Sequence, residues 1–532
     1  MAKKKKTQET GSLSLETILF NCREYLRSHA SLDDKRDLLL TLVFLRFIGE
    51  KFEDERQKLR QQCIDNGLTD EEMIQAYLDQ PGMYNGIAFV PLEARWDYLM
   101  LQPANKLNGA LDDALQALEN GGGALKGCVR LGLFSSINLE ANVIKKVMDE
   151  VNKISHKVFG TERALIGRVY EYFLKSFAIN ATKEEGEFYT PHDIVELIAA
   201  FIEPFDGTLY DPCCGSGGMF VQCAKYVEEK QGDIMQVNVY GQETDPTTYR
   251  LAKMNLAMRG ISHHLGEKNA STFTNDMHRG LVFDYIMANP PFNLKKWYDT
   301  SLSHDARWAD YGLPPEGNAN YAWILHILSK LKAGRGVAEF LLANGALGGS
   351  DAAEIRQKLI ENDKIEAIIV LPRELFYTTD ISVTLWILNQ KKEGGMWHGR
   401  KLRNRKGEIL FMDLRQWNEN AIKGEQKKKV EFVKEQVERA TDIYFHWQSV
   451  GTDGKNFAEP ELYRSVGLDE LRENEFSLVP SRYIEFVDRD SNIDYHQVLT
   501  DTAATVKDLL QRQKQNDITL RNALKQLGYE CE

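Results

Sequence analysis

Short apolar runs alternate with helical stretches between residues 208 and 388, and this alternation constrains the fold more than any other feature of the chain. The predicted strands are 208–210, 237–241, 283–288, 336–342, 365–371 and 383–388. Predicted helices lie between them at 217–229, 245–259, 320–332 and 351–361. Because helical crossovers join parallel strands, the pattern predicts an α/β fold with a doubly wound parallel sheet.

Helical spacing dominates on both sides of this region. We predict a helical N-terminal domain at 1–158, the α/β domain at 159–475 and a helical C-terminal tail at 476–532. In the tail, a heptad-like seam with two polar positions comprises Val506, Leu510, Gln513, Asp517, Leu520, Leu524 and Leu527. Such a seam can dock a partner helix, or it can pack on the chain's own N-terminal domain.

The amino-acid composition indicates the cellular compartment and limits how the chain can contact DNA. The 532 residues include seven cysteines, with no CxxC pair and no Cys/His ligand spacing. This argues against a zinc site or a disulfide framework and indicates a reducing, cytoplasmic location. The longest apolar stretch, 38–48, is too short to cross a bilayer, so no membrane association is expected. A net charge of −12 is unfavourable for holding DNA alone, so any DNA contact must be local or shared with a partner.

A glycine-rich turn follows the first predicted strand. The segment LYDPCCGSGGMF, residues 209–220, places Asp211 and a Gly-Ser-Gly-Gly turn just before a helix. In an open parallel sheet, such a turn lets a ligand approach the backbone at the carboxyl ends of the strands. The second predicted strand is followed by Glu243, where this fold binds a ribose diol, although an ordinary solvated carboxylate is the simpler alternative. No GxxxxGK[ST] motif occurs, which argues against an ATP-driven motor.

The tetrapeptide Asn289-Pro290-Pro291-Phe292 ends the strand at 283–288. One proline would be enough to terminate a strand, and termination requires neither an amide before it nor an aromatic ring after it. The amine of a nucleobase is a poor nucleophile because its lone pair is delocalised into the ring. If the Asn289 side-chain oxygen and the Pro290 carbonyl each accept one N–H, the lone pair is freed, and the two prolines preset that carbonyl. Phe292 would then stack on a base flipped out of the duplex.

The methyl donor that suits this chemistry is S-adenosylmethionine, whose sulfonium makes a methyl group electrophilic without a metal. In-line transfer then needs only positioning and electrostatic support. We therefore expect no metal site.

Nearly the whole chain resembles the modification (M) subunits of type I restriction-modification systems, which methylate adenine at N6 in DNA. The resemblance rests on IGRVYEYFLKSFA, GEFYTP, DPCCGSGG, GQETDPTTYRLAKMNL, NPPF, GRGVAEFLLANGALGG, LPRELFY and FSLVPSRYI. The order, with EFYTP ahead of the glycine turn and NPPF later, is similar to the gamma arrangement of amino-methyltransferases. It implies a Rossmann-like S-adenosylmethionine-dependent methyltransferase domain.

The resemblance also implies roles for individual residues. The methionine end of the cofactor would be bound by the run Glu187, Phe188, Tyr189, Thr190, Pro191 and His192. The glycine turn would comprise Asp211, Gly215, Ser216, Gly217 and Gly218, with Glu243 on the ribose and Asn289, Pro290, Pro291 and Phe292 as the catalytic tetrapeptide. Family members usually have alanines at Cys213 and Cys214, a small-for-small change. The acid that often lies near the cofactor adenine is replaced by Ser271 and Thr272, and Asp276 comes late, so this contact stays unassigned.

Partners follow from the same resemblance. The family acts on DNA with a separate specificity (S) subunit, with two M subunits per S, and joins a motor-nuclease (R) subunit for restriction. The roughly 140 residues after the last predicted strand leave little room for a target-recognition domain. They begin with a basic stretch, defined here as residues 391–406, which either contacts phosphates or forms a solvated hairpin at the sheet edge.

Two other functions fit parts of the sequence. A protein glutamine N-methyltransferase uses a similar tetrapeptide, but those enzymes usually end it in Tyr, are far shorter and lack the EFYTP segment. A non-catalytic, cofactor-binding assembly subunit would not need an aromatic ring beside a polarising amide.

Overall fold

The computed structural model describes residues 14–84, 88–121, 123–155, 190–376, 381–417, 422–423, 428–487 and 495–526. None of the helices in these ranges combines the length and the apolar composition that a membrane crossing requires.

The described residues between 14 and 155 are helical and contain no strand. Ser14 and Ser31 begin the first two helices, and each side chain accepts a backbone N–H of the first turn, as N-cap serines do. The helices are α1 (Leu15–Tyr25), α2 (Leu32–Asp65), α3 (Glu71–Leu78), α4 (Trp96–Met100), α5 (Leu107–Gly121), α6 (Leu133–Ile137) and α7 (Ala141–Val151). The apolar faces of all of these helices except α3 form one core, which also takes in Met254 and Met258 from a later helix. Ile74 and Leu78 of α3 pack with Cys63 in a small separate cluster.

Among the described residues from 190 onward, a ten-stranded sheet forms the centre, and two short hairpins lie outside it. The strands are β1 (Gly207–Asp211), β2 (Val237–Gly241), β3 (His263–His264), β4 (Tyr285–Ala288), β5 (Val337–Ala343), β6 (Ile365–Val370), β7 (Val383–Asn389), β8 (Gly395–Trp397), β9 (Arg400–Leu402), β10 (Glu408–Asp413), β11 (Ile422–Lys423), β12 (Lys428–Lys429), β13 (Ala458–Glu459) and β14 (Tyr463–Gly467). Their order in the sheet is β13-β14-β10-β6-β7-β5-β4-β1-β2-β3, and β8–β9 and β11–β12 are the hairpins.

All six predicted strands are present, but the prediction that all of them run parallel is wrong. Strand β7 pairs antiparallel with both β5 and β6. Both β6 and β7 are buried throughout, and a strand buried on both faces shows no periodicity from which its direction could be read. The prediction also missed β3 and the extension of the sheet by β10, β14 and β13.

Helices cover both faces of the sheet, which confirms the doubly wound α/β fold. They are α8 (His192–Ile202), α9 (Gly218–Glu229), α10 (Pro246–Met258), α11 (Asn320–Lys330), α12 (Ala353–Glu361), α13 (Lys434–Gln448) and α14 (Leu468–Glu473). Helices α8, α9, α10 and α13 pack in one apolar core, and α11, α12 and α14 pack in the core on the other face.

Helix α10 joins the sheet to the N-terminal helices. Ala252 and Leu256 belong to the sheet core, whereas Met254 and Met258 belong to the core of the N-terminal helices. Arg250 also lies 3.7 Å from Asp37 of α2. The helix that follows Glu243 is therefore packed from two sides.

The basic stretch is held by intramolecular contacts. Arg405 lies 2.9 Å from Glu366, and both side chains are 0% exposed. Lys392 is 2% exposed and pairs with Asp363 at 2.5 Å, and Arg403 pairs with Glu408 at 2.7 Å. The predicted hairpin is present as β8–β9. Arg405 and Lys392 are buried, however, so these two side chains are neither solvated nor available to contact phosphates.

The C-terminal helix α15 (Tyr495–Gln526) is 32 residues long. Every side chain that the structure describes in it is exposed, including Val506, Leu510 and Leu520. The seam residues from Val506 to Leu520 therefore do not pack on the N-terminal helices, and Leu527 lies outside the described residues. Leu478, Tyr483 and Ile484, which precede the helix, lie in the sheet core.

Candidate active site

The predicted site residues emerge at one edge of the sheet. Strand β1 lies between β2 and β4 and runs parallel to both, with Asp211 opposite Gly241 and Tyr210 opposite Ile286. The carboxyl ends of the three strands therefore meet at the same edge. The glycine turn follows β1, Glu243 follows β2, and Asn289 follows β4, so the topology brings the three together.

The glycine turn is held in place by side chains of α10. Gly217 begins α9 with φ of 75°, which favours glycine, and a Cβ there would lie 3.4 Å from Leu256. Asn255 of α10 donates from Nδ2 to the Ser216 carbonyl at 2.8 Å. At Gly215, by contrast, a Cβ would meet no described atom within 4 Å. The turn is thus supported from α10 and open at Gly215, where a ligand can approach the backbone.

Asp211 shapes the start of this turn. Its side chain is 1% exposed, and Oδ1 accepts the backbone N–H of Cys213 at 2.9 Å. Burial raises the pKa of the Asp211 carboxyl to about 7, although the Cys213 hydrogen bond acts in the opposite direction.

Glu243 holds three backbone amides. Its Oε1 accepts the N–H groups of Thr244 at 2.7 Å and Asp245 at 2.8 Å, and its Oε2 accepts that of Gly215 at 3.0 Å. Burial raises the pKa of Glu243, and these three hydrogen bonds partly offset the rise. An ionised carboxylate offers about four acceptor positions, so about one stays open for a ligand hydroxyl. Glu243 is therefore not an ordinary solvated carboxylate.

In the described part of the chain, one polar atom of the Asn289 side chain makes a hydrogen bond and the other makes none. Its Nδ2 donates to the Thr190 hydroxyl at 2.9 Å. Its Oδ1 is buried and accepts no hydrogen bond from the described part of the chain. Likewise, no described group donates to the Pro290 carbonyl. Among the described residues, two acceptors without partners thus follow β4 directly. The buried one, Asn289 Oδ1, is costly to leave without a partner unless a ligand supplies the donor.

Phe292 is more covered than its predicted role requires. It is 8% exposed, and its ring centroid lies 5.8 Å from that of Phe376 in a T-shaped contact. Stacking on a base stays a prediction, and in this arrangement most of the ring surface is already covered.

The segment predicted to bind the methionine end of the cofactor is described only in part. Glu187, Phe188 and Tyr189 lie outside the described residues. Thr190 and Pro191 directly precede α8, and Thr190 contacts Asn289. His192 begins α8, and its ring lies 3.2 Å from the Lys225 ammonium group and 3.7 Å from the Glu196 carboxylate.

Sequence reasoning missed Gln242, which ties β2 to the following loop. It is 0% exposed, donates to the carbonyls of Ala270 and Asn275, and accepts the N–H of Met277. The available signal was a glutamine directly after a strand and before Glu243. Asp276, the late acid, pairs with Lys330 at 2.6 Å, so the contact to a cofactor adenine stays unassigned.

Two family models match successive parts of the chain. The model described as N-6 DNA Methylase matches residues 161–491, and the one described as HsdM N-terminal domain matches residues 15–151.

Two curated relatives match over most of their length. The HindI methylase subunit of a Haemophilus influenzae type I restriction enzyme is 34% identical, over 83% of this chain and 100% of the relative. The MjaIX methylase subunit of Methanocaldococcus jannaschii is 30% identical, over 96% and 90%.

Solved structures share the fold. A type I restriction-modification methyltransferase subunit from Streptococcus thermophilus superposes with a TM-score of 0.69 at 24% identity, over 88% of this chain and 99% of that one. A chain from a study of complex assembly and conformational transition in the type I R-M system gives 0.58 at 19% identity, over 95% and 97%.

Proposed function

Because the chain belongs to the N-6 DNA methylase family, as a type I restriction-modification methylase subunit, we propose that it transfers a methyl group from S-adenosylmethionine to N6 of adenine in DNA. The observation that carries this proposal is the buried Oδ1 of Asn289, which has no hydrogen-bond partner among the described residues and lies at the same sheet edge as the glycine turn. A base amine has two N–H groups, and Asn289 Oδ1 and the Pro290 carbonyl offer two acceptors.

These acceptors would activate the amine. When Oδ1 and the Pro290 carbonyl each accept one N–H, negative charge is drawn toward the nitrogen, and its lone pair becomes available for attack. Both acceptors are preorganised: Thr190 holds the Asn289 amide, and Pro290 and Pro291 restrict the backbone. In the transfer, N6 would form a bond to the methyl carbon as the carbon–sulfur bond breaks, its electron pair would stay on sulfur as a neutral thioether, and N6 would release one proton to water.

The residues at the glycine turn suit the proposed cofactor. S-adenosylmethionine supplies an electrophilic methyl group on a sulfonium. The cofactor would lie along the open side of the turn, held by Asp211, Gly215, Ser216, Gly217 and Gly218. At Gly215 no described atom obstructs its approach to the backbone. Glu243 would accept from a ribose hydroxyl with the acceptor position that its three backbone contacts leave open.

Sequence specificity is proposed to come from an S subunit, with two M subunits per S, and restriction from an R subunit. The relatives named as methylase subunits of type I restriction enzymes support this assembly. The net charge of −12 agrees with shared DNA binding, since phosphate contacts favour a basic surface. The exposed leucines of α15 suit a protein partner.

The proposal is tested by assaying the purified complex with methyl-labelled cofactor, DNA and its S subunit. Asn289→Ala should reduce transfer by at least about a hundredfold, as loss of one preorganised group does, while cofactor binding by calorimetry is retained. Asn66→Ala, an exposed asparagine at the end of α2, is the matched control and should act as wild type. Cofactor binding without transfer by the wild type would favour the assembly-subunit alternative.

A further inference from the structure

Thr190 contacts the proposed catalytic amide. Its hydroxyl oxygen lies 2.9 Å from Asn289 Nδ2, and the two residues are 99 positions apart in the chain. The bond links the residue that leads into α8 with the carboxyl end of β4. It is the one hydrogen bond of the Asn289 side chain in the described part of the structure, because Oδ1 has no partner there.

The orientation of an asparagine amide decides its chemistry. The last side-chain torsion of Asn is broad and roughly twofold, so an unrestrained amide can present either its oxygen or its NH₂ group. Only the oxygen can accept an N–H of a base amine, since the opposite orientation would set two donors against each other. A neighbouring acceptor for Nδ2 favours the productive orientation.

Thr190 is itself held in place. The residue before a proline is restricted to extended conformations, and Pro191 follows it directly with φ of −58°. Helix α8 then buries Ile194, Val195 and Leu197 in the sheet core. A threonine side chain is also stiff at its first torsion, so the hydroxyl has little freedom to leave the amide.

We propose that Thr190 is a positioning residue for methyl transfer: its hydroxyl accepts from Nδ2 of Asn289 and thereby directs Oδ1 toward the substrate amine. This inference rests on the proposed function and assigns Thr190 a task other than the cofactor contact expected from the EFYTP resemblance. The two assignments make different predictions, because a cofactor contact acts on binding, whereas amide orientation acts on the transfer step.

The test compares Thr190→Val, which removes the hydroxyl at nearly constant shape, with Thr190→Ser, which keeps it. Both variants are assayed in the complex with the S subunit, at saturating cofactor and DNA, and cofactor affinity is measured separately by calorimetry. Thr190→Val should lower kcat about five- to tenfold, the worth of one ordinary hydrogen bond. Its cofactor Kd should stay at the wild-type value, and Thr190→Ser should restore kcat.

A double-mutant cycle adds a readout that a general structural role would not produce. If Thr190 acts through Asn289, Thr190→Val should have no further effect on the residual transfer of Asn289→Ala. Additive losses, a Thr190→Val defect explained by weaker cofactor binding, or full activity of Thr190→Val would each overturn the inference. Failure of the proposed function is distinct from these outcomes, because it would appear as absence of DNA methylation by the wild type.

Discussion

Replacing Arg405 by methionine removes one half of an ion pair that lies wholly inside the protein. Arg405 and Glu366 are both 0% exposed and 2.9 Å apart. Arg405 also donates to the carbonyls of Arg403 and Lys391. After the replacement, Glu366 retains only the Gln448 amide as a described donor, and its carboxylate lies buried without a counter-charge.

The expected cost follows from this burial. Removing one partner of a buried pair destabilises a protein by about 3–5 kcal/mol, because the remaining charge is uncompensated. At about 2 °C per kcal/mol for a large domain, the melting temperature should fall by about 6–10 °C. Replacing both residues removes the unpaired charge, so Arg405→Met with Glu366→Leu should recover most of the loss.

Thermal unfolding and DNA binding of the same variants test this reasoning. Lys401→Met is the control, because Lys401 is an exposed cation of the same basic stretch and its loss should leave the melting temperature unchanged. An unchanged melting temperature for Arg405→Met, or no recovery in the double variant, would refute the structural assignment. Weaker DNA binding with unchanged stability would instead indicate phosphate contact.

Three further perturbations test other parts of the structure. Glu339 is 0% exposed, neither of its oxygens has a described partner, and burial raises the pKa of its carboxyl well above the ordinary value. The folded state therefore favours the protonated form, and stability is lost as pH rises from the unfolded toward the folded pKa. Glu339→Met should be about 1–3 kcal/mol more stable than wild type at pH 8, and denaturant titrations should show this gain shrinking as the pH falls toward the ordinary pKa. Lys295 and Lys296 are exposed just after the tetrapeptide, so alanine at both should weaken DNA binding for all sequences and reduce the salt slope by about 2; an unchanged slope would place them off the DNA. Leu510 and Leu520 are 54% and 59% exposed on α15, so aspartate at both should abolish co-purification with the S subunit without changing the melting temperature, whereas retained co-purification would exclude this seam as the contact.

Much of the edge that carries the site followed from the sequence, because its residues have backbone requirements. Gly217 has a positive φ and lies close against α10, and both conditions favour glycine. A glycine-rich turn between a strand and a helix indicates both conditions in the sequence. Polar residues that follow neighbouring strands, such as Glu243 and Asn289, had to emerge at one edge once the strands were parallel.

The remaining features depend on contacts that no local pattern contains. The direction of β7 is not encoded in its apolar composition. The burial of Arg405 depends on Glu366, which lies 39 residues away, so a run of basic residues alone did not distinguish it from a solvated surface. The contact of Thr190 with Asn289 spans 99 residues, so the EFYTP resemblance indicated the residue but not this neighbour.

The identity of the methylated atom tests the central claim most directly. The complex with its S subunit is incubated with unmethylated DNA and methyl-labelled S-adenosylmethionine, and the DNA is digested to nucleosides for mass spectrometry. We predict label on N6-methyladenine from the wild type and its loss in Asn289→Ala. Label on cytosine or on protein glutamine, or labelled adenine that persists at wild-type levels in Asn289→Ala, would contradict the account.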